Sequence, residues 1–199
     1  MNYTAYHVHS DVSLLDSCTD FSLYINRAKE LGQTVLASTE HGKPMRWIAK
    51  KMACDEAGIK FIHGVEMYLT ETLDGDKVRD NYHTVLLAKN LDGLRELNQL
   101  VSISSQPDHF YFNNRLSFDE FLEISPNIIK TSACLASPLN KLPLTHPYYE
   151  KLVQAYDFLE IQPHRDPDQI AYNVHLAELS QKYGKPLIAG TDTHSIDAY

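Results

Sequence analysis

The sequence has few cysteines, no long apolar stretch and fewer basic than acidic residues. Its three cysteines cannot all pair with one another, which argues against a disulfide framework and for a reducing compartment, the cytoplasm. No apolar run approaches the roughly 20 residues of a membrane span, and the N-terminus lacks the basic and apolar regions of a signal peptide. The net charge of −8 has the wrong sign for a protein that holds nucleic acid by a broad basic face.

The composition is that of an ordinary globular domain, with 43% hydrophobic and 22% charged residues. We find no internal repeat and no linker of domain-boundary character, so we predict a single domain over residues 1–199. Apolar runs predict strands at 3–8, 35–39, 82–88, 128–132, 158–162 and 186–190, with one or two more within 59–69. Helices separate these strands, one of them with Asp92 as its predicted N-cap, and 104–118 and 137–148 are predicted loops. This alternation is typical of a parallel sheet covered by helices, and a closed or partly closed βα barrel fits the length better than an open sheet.

Histidine, carboxylate and cysteine side chains recur where the predicted strands end. His7 and His9 close the first strand, and side chains two apart on a strand point the same way. Other strands contribute further residues at or beside their ends, namely His41, Glu66, His83, Cys134, Asp192 and His194. Strand ends of a βα fold converge on one face, where active sites lie. The sequence therefore predicts one site to which many strands contribute.

The donor set indicates a metal cluster. Imidazoles, carboxylates and one thiolate suit Zn, Mn or Fe better than Ca or Mg, which favour oxygen ligands. The candidates are too many for one four-coordinate ion, so we expect two or three metals. A carboxylate such as Glu66 can bridge two ions, as in binuclear phosphoesterases.

These residues belong to motifs that follow one another along the chain. The motifs include Tyr6-His7-Val8-His9-Ser10, Ser13-Leu14-Leu15-Asp16, Thr39-Glu40-His41-Gly42, Gly64-Val65-Glu66-Met67-Tyr68, Tyr82-His83-Thr84-Val85, Cys134-Leu135, Leu159-Glu160-Ile161-Gln162 and Asp192-Thr193-His194. Together they resemble the PHP domain of the polymerase and histidinol phosphatase superfamily. They are most similar to the PHP domain at the N-terminus of bacterial C-family replicative DNA polymerases, the DNA polymerase III alpha subunits. Glu40 replaces the aspartate that is usual in this family, which removes no ligand.

The resemblance implies a distorted seven-stranded (β/α)7 barrel with a metal site at the C-terminal ends of its strands. It implies three divalent transition-metal ions, Zn or Mn with Fe as a further candidate. The implied ligand sets are His7, His9, Glu66 and Asp192 at one metal, Glu66, His83 and Cys134 at a second, and Asp16, His41 and His194 at a third. Within these sets it implies catalytic roles for Glu66, Asp192 and His9.

The resemblance also implies a function, a metal-dependent phosphoric ester hydrolase. The leading assignment is a 3′→5′ exonuclease that acts on the 3′ end of DNA beside replicative polymerase domains or subunits. Two other functions remain open: a small-molecule phosphatase of the histidinol-phosphate type, and a non-catalytic, metal-stabilised module of a polymerase. The sequence also leaves open whether the chain stands alone or is the N-terminal part of a longer polymerase.

Residues outside the implied ligand sets give three further expectations. His164 and Arg165, which follow the sixth predicted strand, are candidate contacts for substrate phosphate. Phe110-Tyr111-Phe112 either packs within its loop or stacks on single-stranded bases. His109, in the same loop, is expected to be solvated.

Overall fold

The computed structural model describes residues 3–199 as a mixed α/β fold with two sheets. The strands are β1 (Val35–Ser38), β2 (Lys60–Thr70), β3 (Tyr82–Ala88), β4 (Arg115–Ser117), β5 (Ile128–Thr131), β6 (Leu159–Ile161) and β7 (Leu187–Ala189). Five of them form a sheet in the order β1-β2-β3-β5, with β4 paired to β2, while β6 and β7 form a parallel pair. Residues 1 and 2, the start of the predicted domain, lie outside the described residues.

Helices connect most of the strands. They are α1 (Phe21–Glu30), α2 (Trp47–Ala57), α3 (Leu91–Ser104), α4 (Phe118–Leu122), α5 (Pro138–Lys141), α6 (Tyr149–Ala155) and α7 (Pro167–Tyr183), followed by a 3-10 helix at Ile196–Ala198. The carboxylate of Asp20 caps α1 by accepting a hydrogen bond from the Ser22 amide, and Asp166 caps α7 in the same way. Within residues 3–199, no helix is long and apolar enough to cross a membrane.

The predicted closed barrel of parallel strands is not found in residues 3–199. β3 runs antiparallel to both β2 and β5. The connection between β2 and β3, residues 71–81, contains no helix, whereas a parallel pair needs a longer crossover that is usually helical. The segment 3–8, predicted as the first strand, forms no ladder, and a single bridge joins Val8 to Thr193.

The antiparallel direction of β3 explains why one predicted ligand opens a strand instead of ending it. The register places His83 opposite Tyr68 and Val85 opposite Glu66. In an antiparallel pair, the start of one strand lies at the same edge as the end of its neighbour. β3 therefore brings His83 to the edge at which β2 ends.

Short elements and one buried histidine differ from the sequence-based expectations. β4 lies in the first predicted loop and α5 in the second, and both are too short for periodicity to reveal them. Asn90, not Asp92, caps α3, because its side chain accepts a hydrogen bond from the Gly93 amide. His109 is buried, not solvated, because Asp108 and Glu120 lie within hydrogen-bonding distance of its two ring nitrogens.

Three buried apolar clusters hold the fold, the smallest of which contains Tyr6, Ala37, Val85, Leu87 and Ala133. The largest cluster joins β2 and β3 to α3, α4, α6 and α7, and its fully buried members include Leu69, Leu86, Leu97, Leu152 and Leu176. The second cluster lies beneath α1 and α2 and includes Val8, Tyr24, Leu36 and Cys54. Val8 thus anchors the N-terminal segment, with the histidine on either side of it, to the second cluster.

Gly64 lies two residues before Glu66, where β2 is packed between β1 and β3. A Cβ atom at this position would lie 2.5 Å from Cδ2 of Leu87 and 3.0 Å from the Leu86 carbonyl oxygen. We expect Gly64→Ala to lower the free energy of unfolding by about 1–3 kcal/mol through overpacking, measured by urea denaturation. Ser102→Ala, at an exposed position of α3, is the control, and equal stability of the two variants would contradict the prediction.

Candidate metal centre

Two extended segments bring residues from the two ends of the chain together. The His9 amide donates to the Thr193 carbonyl (2.8 Å), and the Thr193 amide donates to the His7 carbonyl (3.1 Å). These bonds align residues 7–9 with residues 192–194. The predicted ligands of both segments consequently lie side by side.

The first group contains His7, His9, Glu66 and Asp192, whose ligating atoms all lie within 4.8 Å of one another. Nε2 of His7 is 3.3 Å, and Nε2 of His9 3.1 Å, from Oδ1 of Asp192. These three atoms and Oε1 of Glu66 are buried and, although they lie close to one another and to His83, none makes a hydrogen bond of acceptable geometry within the described chain. Buried polar atoms are normally paired, and one cation among them would satisfy all four. The donor set therefore fits a metal ion.

A carboxylate holds the second ring nitrogen of His7. Nδ1 of His7 lies 2.7 Å from Oε1 of Glu160, which is fully buried in β6 and also accepts a hydrogen bond from the side-chain amide of Gln162. Such a carboxylate fixes the orientation and tautomer of a metal-binding histidine. Glu160 is not among the site residues predicted from the sequence. A carboxylate within an apolar strand nevertheless indicates a buried side chain that needs a polar partner.

The second group contains Glu66, His83 and Cys134. Nδ1 of His83 is 2.9 Å from Oε1 of Glu66, and Sγ of Cys134 is 3.5 Å from the same nitrogen. Cys134 follows Ala133, whose positive φ of 54° turns the chain beyond β5. One sulfur, one nitrogen and one oxygen are ligands that zinc accepts in proteins.

The third group contains Asp16, His41 and His194. Oδ2 of Asp16 lies 2.5 Å from Nε2 of His41 and 2.6 Å from Nε2 of His194. The structure adds His9 to this set, because its ring stacks on those of His41 and His194 at centroid distances of 4.1 and 4.4 Å. Eight of the nine implied ligands thus fall in three adjoining groups, in which Glu66 and His9 each belong to two, and the exposed Asp16 joins the third group through its contacts with His41 and His194.

Tyr68 lies between the second and third groups, and the sequence analysis gave it no role. Its ring stacks on His41 at 6.2 Å and meets the edge of His83 at 4.9 Å. Gly42 lies beside this ring with a φ of 63°, a conformation that favours glycine. Tyr68 therefore positions one histidine of each group.

A buried ion pair supports the loop that carries Asp16. The Glu40 carboxylate accepts hydrogen bonds from the Ser10 amide (3.0 Å) and the Ser13 hydroxyl (2.5 Å), and it pairs with the Lys50 ammonium group. Burial alone would raise the pKa of Glu40, but Lys50 and the serine hydrogen bonds lower it. Glu40 is therefore an anionic anchor beneath the loop, and not a ligand.

The electrostatics of the cluster favour a cation. Burial alone would raise the pKa of Glu66, but His83, His41 and His7 together lower it well below its usual range. Burial likewise opposes the effect of Glu66 and Asp16 on His41, which raise its pKa to about 9. Anionic carboxylates are thus balanced by protons on imidazoles, and a metal ion can bind by displacing those protons.

The thiol of Cys134 responds to the same field. Burial, together with the charges of Glu66 and Asp192, raises its pKa well above the usual range. A thiol that binds metal loses its proton. Binding at the second group is therefore also coupled to proton release.

His164 and Arg165, the expected phosphate contacts, occupy different positions relative to the cluster. His164 lines a cavity of about 430 Å³ that also borders Cys134 and Asp192, and its Nε2 is 2.9 Å from the Thr191 carbonyl oxygen. Lys141 lines the same cavity. Arg165 is exposed and is not among the described residues that line it.

Sequence comparisons relate this chain to a known protein family. Residues 5–164 match the family model of the PHP domain. DNA polymerase III subunit alpha of Borreliella burgdorferi is 36% identical over an alignment that covers 96% of this chain and 18% of that protein. The same subunit of Treponema pallidum is 30% identical, with 98% of this chain and 18% of that protein covered. The chain thus spans less than a fifth of the length of these curated relatives.

Solved structures share the fold at low sequence identity. A candidate metal-dependent phosphoesterase from Bifidobacterium adolescentis matches with a TM-score of 0.64 and 13% identity, over 98% of this chain and 88% of that chain. Endonuclease Q, in complex with a 27-mer duplex that has an abasic lesion at the active site, matches with a TM-score of 0.62 and 19% identity, over 96% of this chain and 49% of that chain. At these identities the similarity concerns the fold.

Metal content tests whether the cluster binds ions. We expect elemental analysis of protein purified without chelator to give about two to three transition-metal ions per chain, because the donors exceed what one ion needs. Glu66→Gln should lose at least one ion, since Glu66 belongs to two groups. Glu56→Gln, at an exposed position of α2, should keep the full content. Fewer than one ion per chain in folded wild-type protein would contradict the prediction of a site for several metal ions.

Metal binding should release protons, and the release should depend on pH. The pKa of His41 is raised to about 9 in the metal-free protein, so at pH 7 this imidazole is protonated and must lose its proton to bind metal. Calorimetric titration at pH 7, in buffers of different ionisation enthalpy, should therefore show proton release as metal binds. At pH 9.5 fewer protons should be released per ion, because His41 is then largely neutral. Release of the same number of protons at both pH values would show that metal binding does not displace a proton from His41.

Proposed function

Because the chain belongs to the PHP domain family, we propose that it is a metal-dependent phosphoesterase that removes nucleotides from the 3′ end of DNA. The observation that carries this proposal is the set of four buried, unpartnered ligand atoms in the first group, because such atoms are costly unless a cation joins them. The surrounding groups give the cluster enough donors for the three divalent ions implied by the family. Zn and Mn are the ions that we expect.

The proposed mechanism assigns distinct tasks to the protein residues. Divalent ions, when bound, supply the Lewis acidity that activates water and stabilises charge on a phosphate. Oε1 of Glu66 lies between the first and second groups, 3.4 Å from Nε2 of His7 and 2.9 Å from Nδ1 of His83, while its Oε2 contacts Nδ1 of His41 in the third group. Asp192 and His9 complete the first group next to the cavity, and Glu160 keeps the ring of His7 fixed. We therefore propose Glu66, Asp192 and His9 as the residues closest to the reacting phosphate.

The cavity beside the cluster supplies the site for a phosphoester. It borders Cys134 and Asp192 and is lined by His164 and Lys141. Lys141 places one positive charge in the cavity beside the carboxylates of Asp166 and Asp192, so a phosphate bound there needs the additional positive charge of the metal ions. The contact between Nε2 of His164 and the Thr191 carbonyl oxygen orients the imidazole ring. We propose His164 as a phosphate contact, and assign Arg165 only a contact with substrate outside the cavity.

The sequence relatives favour DNA over a small metabolite as the substrate. Both DNA polymerase III alpha subunits align with nearly the whole chain. We propose that the domain works beside polymerase domains or subunits, which would deliver a 3′ end to the cluster. The second candidate function is a metal-stabilised structural module of a polymerase. The alignment with the DNA polymerase III alpha subunits favours it as well, because such a domain can support a polymerase without hydrolysing a substrate.

Parallel assays with Mn²⁺ distinguish these functions. We expect single-stranded DNA with a free 3′ end to be degraded, and histidinol phosphate to be a poor substrate. Glu66→Gln should lower hydrolysis by about two orders of magnitude or more, because the pair of ions that activates water is lost, whereas Glu56→Gln should keep the wild-type rate. Circular dichroism establishes that each variant is folded.

Each other outcome assigns a different function. Faster turnover of histidinol phosphate than of the oligonucleotide would favour the phosphatase. Wild-type protein that is metal-loaded and folded, yet inert on all phosphoesters, would favour the structural module. A folded Glu66→Gln variant with wild-type rates would show that the hydrolysis arises elsewhere.

A further inference from the structure

An exposed aromatic loop lies outside the metal centre and has no role in the mechanism above. Phe110 and Phe112 are 45% and 58% exposed, although large aromatic side chains usually contribute buried area. Tyr111 lies between them, with its ring 4.7 Å from that of Phe112 in an edge-to-face arrangement. Three successive aromatic residues thus form a rim of which two members face solvent.

The backbone holds Phe112 in an unfavourable conformation. Its φ of 61° lies in the left-handed region, which bulky residues rarely adopt. An antiparallel bridge between Tyr111 and Asn113 closes the turn, and the Lys77 ammonium donates to the carbonyls of Pro107 (2.6 Å) and Phe110 (2.9 Å). Strain of this kind persists where the surrounding structure fixes it and is concentrated at functional sites. The loop backbone is therefore held in a conformation that keeps the side chain of Phe112 at the surface.

One face of this ring is paired with a cation. The guanidinium carbon of Arg79 lies 4.5 Å from the centroid of Phe112, and Arg79 is itself exposed. An aromatic ring with an arginine beside it is the usual platform for bases of single-stranded nucleic acid, because bases stack on the ring and the cation attracts the backbone. With Arg79 and Tyr111 beside it, Phe112 remains 58% exposed, which leaves part of its ring surface available to a base.

The loop begins next to the metal centre. A Cβ atom at Gly42, the residue after His41, would lie 3.8 Å from Cβ of Asn114. Phe112 is two residues from Asn114, so their Cα atoms are at most about 7.6 Å apart. A strand whose terminal phosphate lies at the cluster can therefore reach the ring of Phe112 with a base a few nucleotides from that end.

The local charges favour contact with bases over contact with a long phosphate backbone. Asp74 and Asp76 are exposed in the connection that carries Lys77 and Arg79, so this region is not a basic surface. Duplex DNA conceals the faces of its bases, whereas a single strand exposes them. Stacking is thus the recognition that this rim can supply.

We propose that Phe112 and Arg79 form a base-stacking subsite that binds a single DNA strand as it enters the metal centre. The subsite rests on the proposed function, because it takes the same substrate class. It fixes the position of a base near the 3′ end and thereby places the terminal phosphodiester at the cluster.

Phe112→Gly is the decisive variant. Glycine tolerates the positive φ, so the variant removes the ring without adding strain. Binding is measured by fluorescence anisotropy with a 5′-labelled oligothymidylate whose phosphorothioate linkages resist hydrolysis. Because stacking on one aromatic ring is worth about 5- to 150-fold in affinity, we expect the dissociation constant to rise by a factor in that range. Phe112→Trp should restore binding, and Met52→Ala, an exposed change on α2, should leave it unchanged.

A second readout separates this subsite from the proposed function. Hydrolysis of bis(p-nitrophenyl) phosphate, which is too small to reach the loop, should be the same in Phe112→Gly and the wild type. If the wild type binds the oligonucleotide through Phe112 but does not hydrolyse DNA, the proposed exonuclease fails and the subsite stands. If Phe112→Gly binds as tightly as the wild type, or if the wild type does not bind the oligonucleotide, the subsite is wrong.

Discussion

The carboxylate of Glu66 is the constraint on which the rest of the centre depends. It lies within β2, which pairs with β1, β3 and β4, and its side chain is fully buried. An isolated carboxylate in an apolar interior is very unfavourable, so polar partners must surround it. They come from separate parts of the chain, with His7 from the N-terminal segment, His41 from the turn after β1 and His83 from the start of β3.

The proximity of the predicted ligands could be inferred from the sequence and from its resemblance to the PHP family, because they lie at chain positions that do not depend on barrel closure. His7 and His9 share a face through their spacing of two, and His83 reaches the common edge even though β3 runs antiparallel to its neighbours. The closed barrel failed as a prediction because apolar runs do not reveal strand direction. Glu160 and Tyr68 could not be predicted for a related reason. Their partners are distant in sequence and are brought near only by the tertiary fold, as the separation of 153 positions between His7 and Glu160 shows.

The acidic composition and a DNA substrate are compatible because the positive charge is concentrated at one point. Three divalent ions would exceed the charge of their anionic ligands, Asp16, Glu66, Asp192 and the Cys134 thiolate, while the chain around them carries a net charge of −8. Such a field attracts a phosphate at the cluster and repels a long backbone elsewhere. Recognition then depends on the end of a strand, and additional affinity has to come from uncharged contacts such as base stacking.

The same ligands also hold together parts of the fold that lack β-ladders. Residues 3–16 and 190–194 contain only an isolated bridge, Val8 to Thr193, yet they carry His7, His9, Asp16, Asp192 and His194. Segments with few backbone hydrogen bonds open more easily than strands in a sheet. Metal ions bound between these segments and Glu66 would join them to the central strand and stabilise the folded state by mass action. Glu66 would therefore couple ion binding to folding, because its carboxylate is fixed in the sheet, while the segments that carry its partner ligands are joined to the rest of the fold by a few backbone hydrogen bonds and by buried contacts such as those of Val8 and Glu160.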